Sequence, residues 1–148
     1  MERIEVEHIF AAELSEAFSS ITDIANWPNY WPGFVRIEDQ ANARWSDPGD
    51  KVTVVLKLLG RERSMHMELE RFEANALVLY RTRQDGLPDA RHERHFKAVP
   101  GGFEYRAVVS FQPRQGLRGL FDRRVVRQGV ERTLRKTVGN IEELLEHD

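Results

Sequence analysis

The chain has 148 residues, of which 41% are hydrophobic and 31% are charged, and its 22 basic and 24 acidic residues give a net charge of −2 at pH 7. This length and balance are typical of one globular domain, residues 1–148, and exclude a disordered or fibrous chain. The absence of cysteine excludes disulfides, thiolate catalysis and cysteine metal sites.

The chain begins with a predicted strand and two short helices. Residues alternate between charged and apolar in "RIEVEHIF", and apolar residues then recur at helical spacing from Glu13 to Ile21. Asp23 can cap a second short helix, which runs into the aromatic cluster "NWPNYWPG", where Pro28 and Pro32 should stop it. The cluster is either a structural plug or one wall of a binding site. We expect Trp27 to pack the helices onto the fold.

About six further strands are predicted after the aromatic cluster. A first run, "FVRIEDQANARW", ends at the turn signal "SDPGD", and "KVTVVLKLL" and "RSMHMELERF" meet in a hairpin at Gly60-Arg61. The runs "ALVLYRTR", "DARHERHFKAV" and "FEYRAVVSFQ" follow, each after a short turn. Connections this short require antiparallel pairing, because parallel strands need a crossover element.

A long amphipathic helix is predicted from Gly116 to Glu146, with a possible bend at Gly129. Within it and the preceding loop, residues 114–136 contain eight basic and two acidic residues, a net charge of +6. This basic face is either a solvated surface or a surface that meets an anion. A sheet with one apolar face can curl around such a helix, and a cavity between the two would suit a small ligand.

Four segments together resemble the polyketide cyclase/dehydrase and lipid-transport group of the START-like (SRPBCC) superfamily. They are "ITDIANWPNYWPG", "DPGDKV", "HFKAVPGGFEY" and "GLRGLFDRRVVRQGVERTLRKTVGNIEELLE", and the resemblance covers essentially the whole chain. It implies an α+β helix-grip fold, in which a curved antiparallel sheet of about seven strands wraps around the long C-terminal helix. It also implies that two short helices close an internal cavity, and that members bind hydrophobic small molecules but only sometimes catalyse a reaction.

Two histidines, His92 and His95, invite the hypothesis of a metal site, but their spacing does not support it. Residues three apart on a strand point to opposite faces, and the pair lacks the helical spacing of a zinc protease. The other histidines, His8, His66 and His147, share no ligand spacing with them. We therefore predict no metal site and no cofactor.

Alternation along the same strand places His92 and Arg94 on one face with Phe96. If Phe96 points to the core, an inward Arg94 must pair with a protein carboxylate or meet a polar group of a ligand. If the strand twists or bulges, Arg94 instead emerges at the rim. Tyr105, on the next predicted strand, can bring a hydroxyl group into the cavity. The catalytic candidates are His92, Arg94 and Tyr105.

The predicted ligand-binding residues come from the aromatic cluster, the strands and the long helix. Met65 and Met67 form an apolar row that either adapts to a ligand or fills the core. Arg123 and Arg127 lie on the side of the apolar stripe, where they are either solvated or frame the cavity mouth. The complete set is Tyr30, Trp31, Met65, Met67, Tyr80, Phe96, Tyr105, Arg127, Val130 and Leu134.

The sequence therefore predicts binding of a lipid, aromatic or polyketide-like molecule inside the fold. The alternative is a cofactor-free cyclase or dehydratase, in which Arg94 stabilises enolate charge and His92 or Tyr105 transfers protons. A further alternative is a protein that binds a partner through the basic helix face. We expect no nucleic-acid partner, since no reading motif accompanies the basic residues.

Long apolar runs, which would indicate a signal peptide or a membrane span, are missing from the sequence. The N-terminus "MERIEVEHIF" lacks the apolar run of a signal peptide, and no apolar stretch approaches membrane-spanning length. We therefore expect a cytoplasmic protein with no integral membrane contact. A homodimer is possible.

Overall fold

The computed structural model describes residues 1–58 and 60–146, and its elements follow the predicted order. Seven strands form one antiparallel sheet in the order β1-β7-β6-β5-β4-β3-β2. The strands are β1 (Glu2–Phe10), β2 (Phe34–Ile37), β3 (Lys51–Leu58), β4 (Arg61–Glu73), β5 (Leu77–Arg83), β6 (Ala90–Val99) and β7 (Gly102–Phe111). The α-helices are α1 (Leu14–Thr22), α2 (Trp27–Tyr30), α3 (Leu117–Phe121) and α4 (Arg127–Glu146). The predicted α+β architecture is confirmed.

The two short helices begin where the sequence supplies caps. The Glu13 carboxylate accepts hydrogen bonds from two amides of the first turn of α1, at 3.0 and 2.7 Å. Asp23 caps a single 3-10 turn, Ile24–Asn26, which leads directly into α2. The sequence suggested that Pro28 stops the helix, but Pro28 lies in the first turn of α2. Backbone N–H groups in a first turn have no intrahelical acceptor, so the missing N–H of proline costs no hydrogen bond there.

The second strand is much shorter than predicted. It ends at Ile37, and Asp39 then adopts a left-handed conformation with φ of 52°, which breaks the extended backbone. Residues 38–44 are mostly exposed and leave the sheet, so the predicted run "FVRIEDQANARW" is wrong beyond Ile37. The chain returns to the interior at Trp45, whose side chain is buried. This loop therefore brings a tryptophan to the core from outside the sheet.

Tight turns join the remaining strands. Gly60, with φ of 77°, precedes β4 as the predicted hairpin requires, and Leu59 lies outside the described residues. At the β6–β7 turn, a Cβ at Gly102 would collide with the carbonyl oxygen of Phe10. The close approach of β7 to the end of β1 thus requires glycine at this position.

The long helix packs against β1 and α2. The Glu142 carboxylate lies 2.7 Å from His8 Nε2, and Asn140 donates a hydrogen bond to the Tyr30 carbonyl oxygen at 3.0 Å. The helix is continuous through Gly129, and its irregularity lies earlier, in a π-helical segment at Asp122–Val126. The irregularity that the sequence suggested at Gly129 therefore lies instead at Asp122–Val126.

A buried ion pair fixes this π-helical segment. Asp122 is fully buried, and its carboxylate accepts hydrogen bonds from the Arg114 amide at 2.8 Å, from Nε at 3.0 Å and from Nη2 at 2.8 Å. These bonds from Arg114 hold the pKa of Asp122 below its ordinary value. The loop that follows β7 is thereby attached to the long helix.

Replacing Asp122 by Asn is expected to destabilise the protein at neutral pH. A carboxylate whose pKa is lowered on folding contributes stability above its unfolded pKa, about 3.9, and loses that contribution as the pH falls through the folded value. The urea midpoints of the parent and of Asp122→Asn should therefore differ at pH 7 and converge in acid. The exposed Asp89, changed to Asn, serves as the control. A difference that is independent of pH would contradict the role of the ion pair.

Candidate functional site

The central feature of the interior is Arg94, which projects from β6 toward the short helices. Its Nη1 donates a hydrogen bond to the Tyr30 hydroxyl at 3.1 Å, and its Cζ lies 5.5 Å from the centre of the Tyr30 ring. The Tyr30 hydroxyl in turn donates to the carbonyl oxygen of Ile21 at 2.6 Å. Tyr30 therefore links the end of α1 to the guanidinium group and holds it in place.

Arg94 has no acidic partner in the part of the chain that the structure describes. No ion pair between Arg94 and an Asp or Glu is found there, and the hydroxyls of Tyr30, Tyr80 and Tyr105 lie near the guanidinium. A guanidinium group stays protonated at physiological pH. The partly buried guanidinium of Arg94 thus carries a positive charge that no carboxylate of the described residues neutralises.

A small cavity lies beside Arg94. Its volume is about 10 Å³, which is room for roughly one water molecule. Aromatic side chains fill the rest of the space, so the cavity is smaller than the sequence led us to expect. Its lining residues are Thr22, Trp27, Trp31, Trp45, Met67, Val78, Tyr80 and Arg94.

A continuous line of aromatic rings runs along this cavity. Trp31 meets Trp27 edge to face at 5.3 Å, Trp27 meets Trp45 at 5.7 Å, and Trp45 meets Tyr80 at 5.5 Å. The Tyr80 ring then stacks on His92 at 4.7 Å, with an angle of 9° between the planes. Such a line offers both ring faces and ring edges to a flat apolar molecule.

His92 and Tyr80 are both neutral at physiological pH. Burial, together with the charge of Arg94, lowers the pKa of His92 to about 3, although part of its side chain remains accessible to solvent. Its Nε2 lies 3.0 Å from the Thr82 hydroxyl. Burial raises the pKa of Tyr80 to about 12. Arg94 therefore supplies the charge of this site, and His92 is a poor base.

The structure brings some of the predicted site residues to the cavity and places others beside it. Those that line it are Trp31, Met67, Tyr80 and Arg94. Tyr30 and Tyr105 are buried next to Arg94, and Tyr105 also contacts Phe96 at 5.3 Å between ring centres. Met65 and Phe96 are buried in the same core without lining the cavity.

The predicted residues of the long helix do not reach this cavity. Arg127 forms an ion pair with Glu2 at 3.4 Å, and Arg123 is exposed. Val130 and Leu134 are half-buried but do not line the cavity. The two arginines therefore frame no cavity mouth, because the cavity lies under the short helices rather than beside the first turns of the long helix.

Four cavity residues were missing from the predicted site residues. Trp27 was expected only to pack the helices onto the fold, and Trp45 was assigned to a strand. Thr22 and Val78 carried no distinguishing signal. The available clue was a tryptophan in an otherwise polar segment, "QANARWSDPGD". Because large apolar side chains are seldom left in water, a tryptophan in such a segment indicates that the chain returns to the core there.

Neither a metal site nor a membrane-spanning helix is found in residues 1–58 and 60–146. No three His, Asp or Glu side chains in these ranges are grouped so that they could hold a metal ion. His92 and His95 have separate partners, since His95 pairs with Glu93 at 3.0 Å, and His147 lies outside the described residues. No helix in the same ranges is long and apolar enough to cross a membrane.

Comparison with known families identifies the chain. The model of the family described as polyketide cyclase / dehydrase and lipid transport matches residues 1–146. The protein belongs to this family. Family and fold together indicate a START-like protein that binds a hydrophobic ligand. No curated protein matches the chain.

Solved structures of similar fold come from several bacteria. The protein TTHA0849 of Thermus thermophilus is 14% identical, with a TM-score of 0.80 over 99% of this chain and 98% of its own. A START superfamily protein of Mycobacterium smegmatis is 13% identical, with a TM-score of 0.76 over 98% and 97%. A protein of Arthrobacter aurescens is 12% identical, with a TM-score of 0.79 over 99% and 87%. These similarities confirm the helix-grip fold.

Proposed function

We propose that the protein binds a flat hydrophobic molecule that carries a carboxylate or carbonyl group, and that Arg94 holds this group. The observation that carries the proposal is the guanidinium of Arg94, which is partly buried beside aromatic rings and has no carboxylate partner among the described residues. A charge removed from water is costly unless it is paired. An anionic or carbonyl ligand would supply the missing partner.

The surroundings of Arg94 support both parts of such a ligand. The planar guanidinium can donate two parallel hydrogen bonds to a carboxylate, while the ring line from Trp31 to Tyr80 can contact an aromatic body. A cavity of about 10 Å³ is too small for this ligand, so entry requires a side chain to move. Trp31 is only partly buried and lines the cavity, and we infer that it swings outward and then closes over the ligand.

Paired ligands of equal shape test this proposal. Benzoate and naphthoate should bind at least about tenfold more tightly than toluene and methylnaphthalene, because a hydrogen bond to a charged group contributes about 1.5–3 kcal/mol. Quenching of tryptophan fluorescence and isothermal titration calorimetry would measure the affinities. Equal affinities for the charged and uncharged members of each pair, or no binding of either, would refute the proposal.

One observation favours the enzyme as a second candidate function. Arg94 and Tyr80 line the same cavity, as a cyclase or dehydratase would require for an enolate-stabilising cation and a proton donor. The low pKa of His92 argues against a role for it as the base. Incubation with a linear poly-β-ketone thioester, followed by mass spectrometry, should show loss of water with the parent protein and none with Arg94→Met. Unchanged substrate in both samples would exclude this activity for that substrate.

A further inference from the structure

Helix α3 and the π-helical segment that follows it expose an unusual group of apolar side chains. The exposed fractions are 87% for Leu117, 49% for Leu120, 45% for Phe121 and 54% for Val125. Three exposed arginines, Arg118, Arg123 and Arg124, lie among them. We call these seven residues the α3 patch. Large apolar residues clustered on a surface mark an interaction site more often than isolated ones do.

The apolar residues of the α3 patch are held outward by local packing. From Leu117 to Val125, only Gly119 and Asp122 are buried, so they form the inner side of the segment. A Cβ at Gly119 would collide with the Arg114 carbonyl oxygen, and Asp122 is bound to the same residue by three hydrogen bonds. The segment is therefore fixed, with its apolar side chains facing solvent.

The charge of the α3 patch is largely uncompensated among the described residues, since only Arg123 is attracted to a nearby carboxylate, that of Asp122. None of Arg118, Arg123 and Arg124 forms an ion pair with any residue in ranges 1–58 and 60–146. Residues 114–136 carry a net charge of +6, although the whole chain carries −2. The partner of this surface should therefore be anionic as well as apolar.

We propose that the α3 patch docks onto the surface of an anionic phospholipid bilayer. Apolar side chains on a convex helix can enter the acyl boundary, while arginines around them extend to the lipid phosphates. A stable protein partner would instead require a surface of about 20–30 residues, several times larger than these seven. This proposal goes beyond binding of a ligand by Arg94 and does not depend on it.

The helix connects this surface to the interior. Beyond the α3 patch, its apolar stripe continues through the half-buried Val130 and Leu134 to Val138, which is 8% exposed, and Ile141, which is fully buried. The same stripe therefore becomes progressively more buried from the patch to the core. A bilayer at the patch would contact the exposed end of this stripe.

Sedimentation with lipid vesicles tests the proposal on the full chain. The protein should bind vesicles of phosphatidylcholine mixed with phosphatidylserine, should bind phosphatidylcholine alone at least about tenfold more weakly, and should lose affinity as salt is raised. The double substitution Leu117→Ala/Phe121→Ala should weaken binding at least about tenfold. Arg118→Glu/Arg124→Glu should weaken it to a similar or greater extent.

Matched controls use exposed residues outside the α3 patch. Ile9→Ala removes an apolar side chain that is 63% exposed on β1, and Lys51→Glu/Lys97→Glu reverses two exposed charges on β3 and β6. Both should bind as the parent does, and circular dichroism should show all variants folded. No sedimentation with anionic vesicles, or equal sedimentation of patch and control variants, would overturn the proposal. A dimer that Leu117→Ala/Phe121→Ala dissociates, without vesicle binding, would assign the patch to a second copy and would also overturn it.

Discussion

Replacing Arg94 by methionine is expected to change stability and ligand binding in opposite directions. Arg94 is partly buried and has no carboxylate partner among the described residues, so its exchange for an apolar side chain of similar volume should raise the free energy of unfolding by about 1 kcal/mol. The Tyr30 hydroxyl keeps its hydrogen bond to Ile21, so little else is lost. Binding of naphthoate should fall at least about tenfold, because its carboxylate loses the guanidinium. Urea denaturation and calorimetric titration measure the two effects.

Two further variants sharpen this experiment. Arg94→Lys keeps the charge but removes the planar pair of donors, so naphthoate binding should be intermediate. Arg91→Met removes an exposed arginine from the same strand and should leave binding unchanged. If Arg94→Met lowered stability and left naphthoate affinity intact, Arg94 would be a structural residue and the proposed function would lose its support.

Replacing Trp27 by alanine is expected to cost about 3–5 kcal/mol of unfolding free energy. Its side chain is 2% exposed and lies between the rings of Trp31 and Trp45, at 5.3 and 5.7 Å. Truncation would leave a cavity at the junction of α2 and the sheet. Because a domain of this kind is stable by only about 5–15 kcal/mol, the loss should be visible as a large shift in the urea midpoint.

The neighbouring Trp31 provides the matched comparison. It is only partly buried and contacts Trp27 and Phe34, so Trp31→Ala should cost less than about 2 kcal/mol. If Trp31 closes over the ligand, the same substitution should weaken naphthoate binding more than it weakens the fold. A stability loss as large as that of Trp27→Ala, with naphthoate affinity unchanged, would show that both tryptophans serve as a structural plug.

Much of the architecture could be predicted because its signals are local. Alternation marked β1 and β6, short turns required antiparallel pairing, and a stripe of apolar residues marked the long helix. The buried Phe96 also fixed the phase of β6. Backbone geometry produces these periodicities within a few residues, so they are readable without knowledge of distant contacts.

The candidate site was predictable only in part. Alternation placed Arg94 on the same face as Phe96, but left open whether it would point inward or emerge at the rim, and whether a carboxylate would meet it. Trp45 was assigned to a strand because no local signal shows where the chain leaves the sheet and returns. Arg127 was placed on the apolar side of the helix, whereas its actual partner, Glu2, is at the opposite end of the chain.

The sequence by itself determined the order of the elements, the antiparallel sheet, the long helix and the family to which the protein belongs. Only the tertiary structure decided that Arg94 meets Tyr30 rather than a carboxylate of the described residues, that Trp45 completes the aromatic line, and that the cavity beside Arg94 has a volume of about 10 Å³. The reason is physical. Secondary structure follows from neighbouring residues, whereas charge partners and cavity volume depend on side chains that the curvature of the sheet brings together from distant parts of the chain.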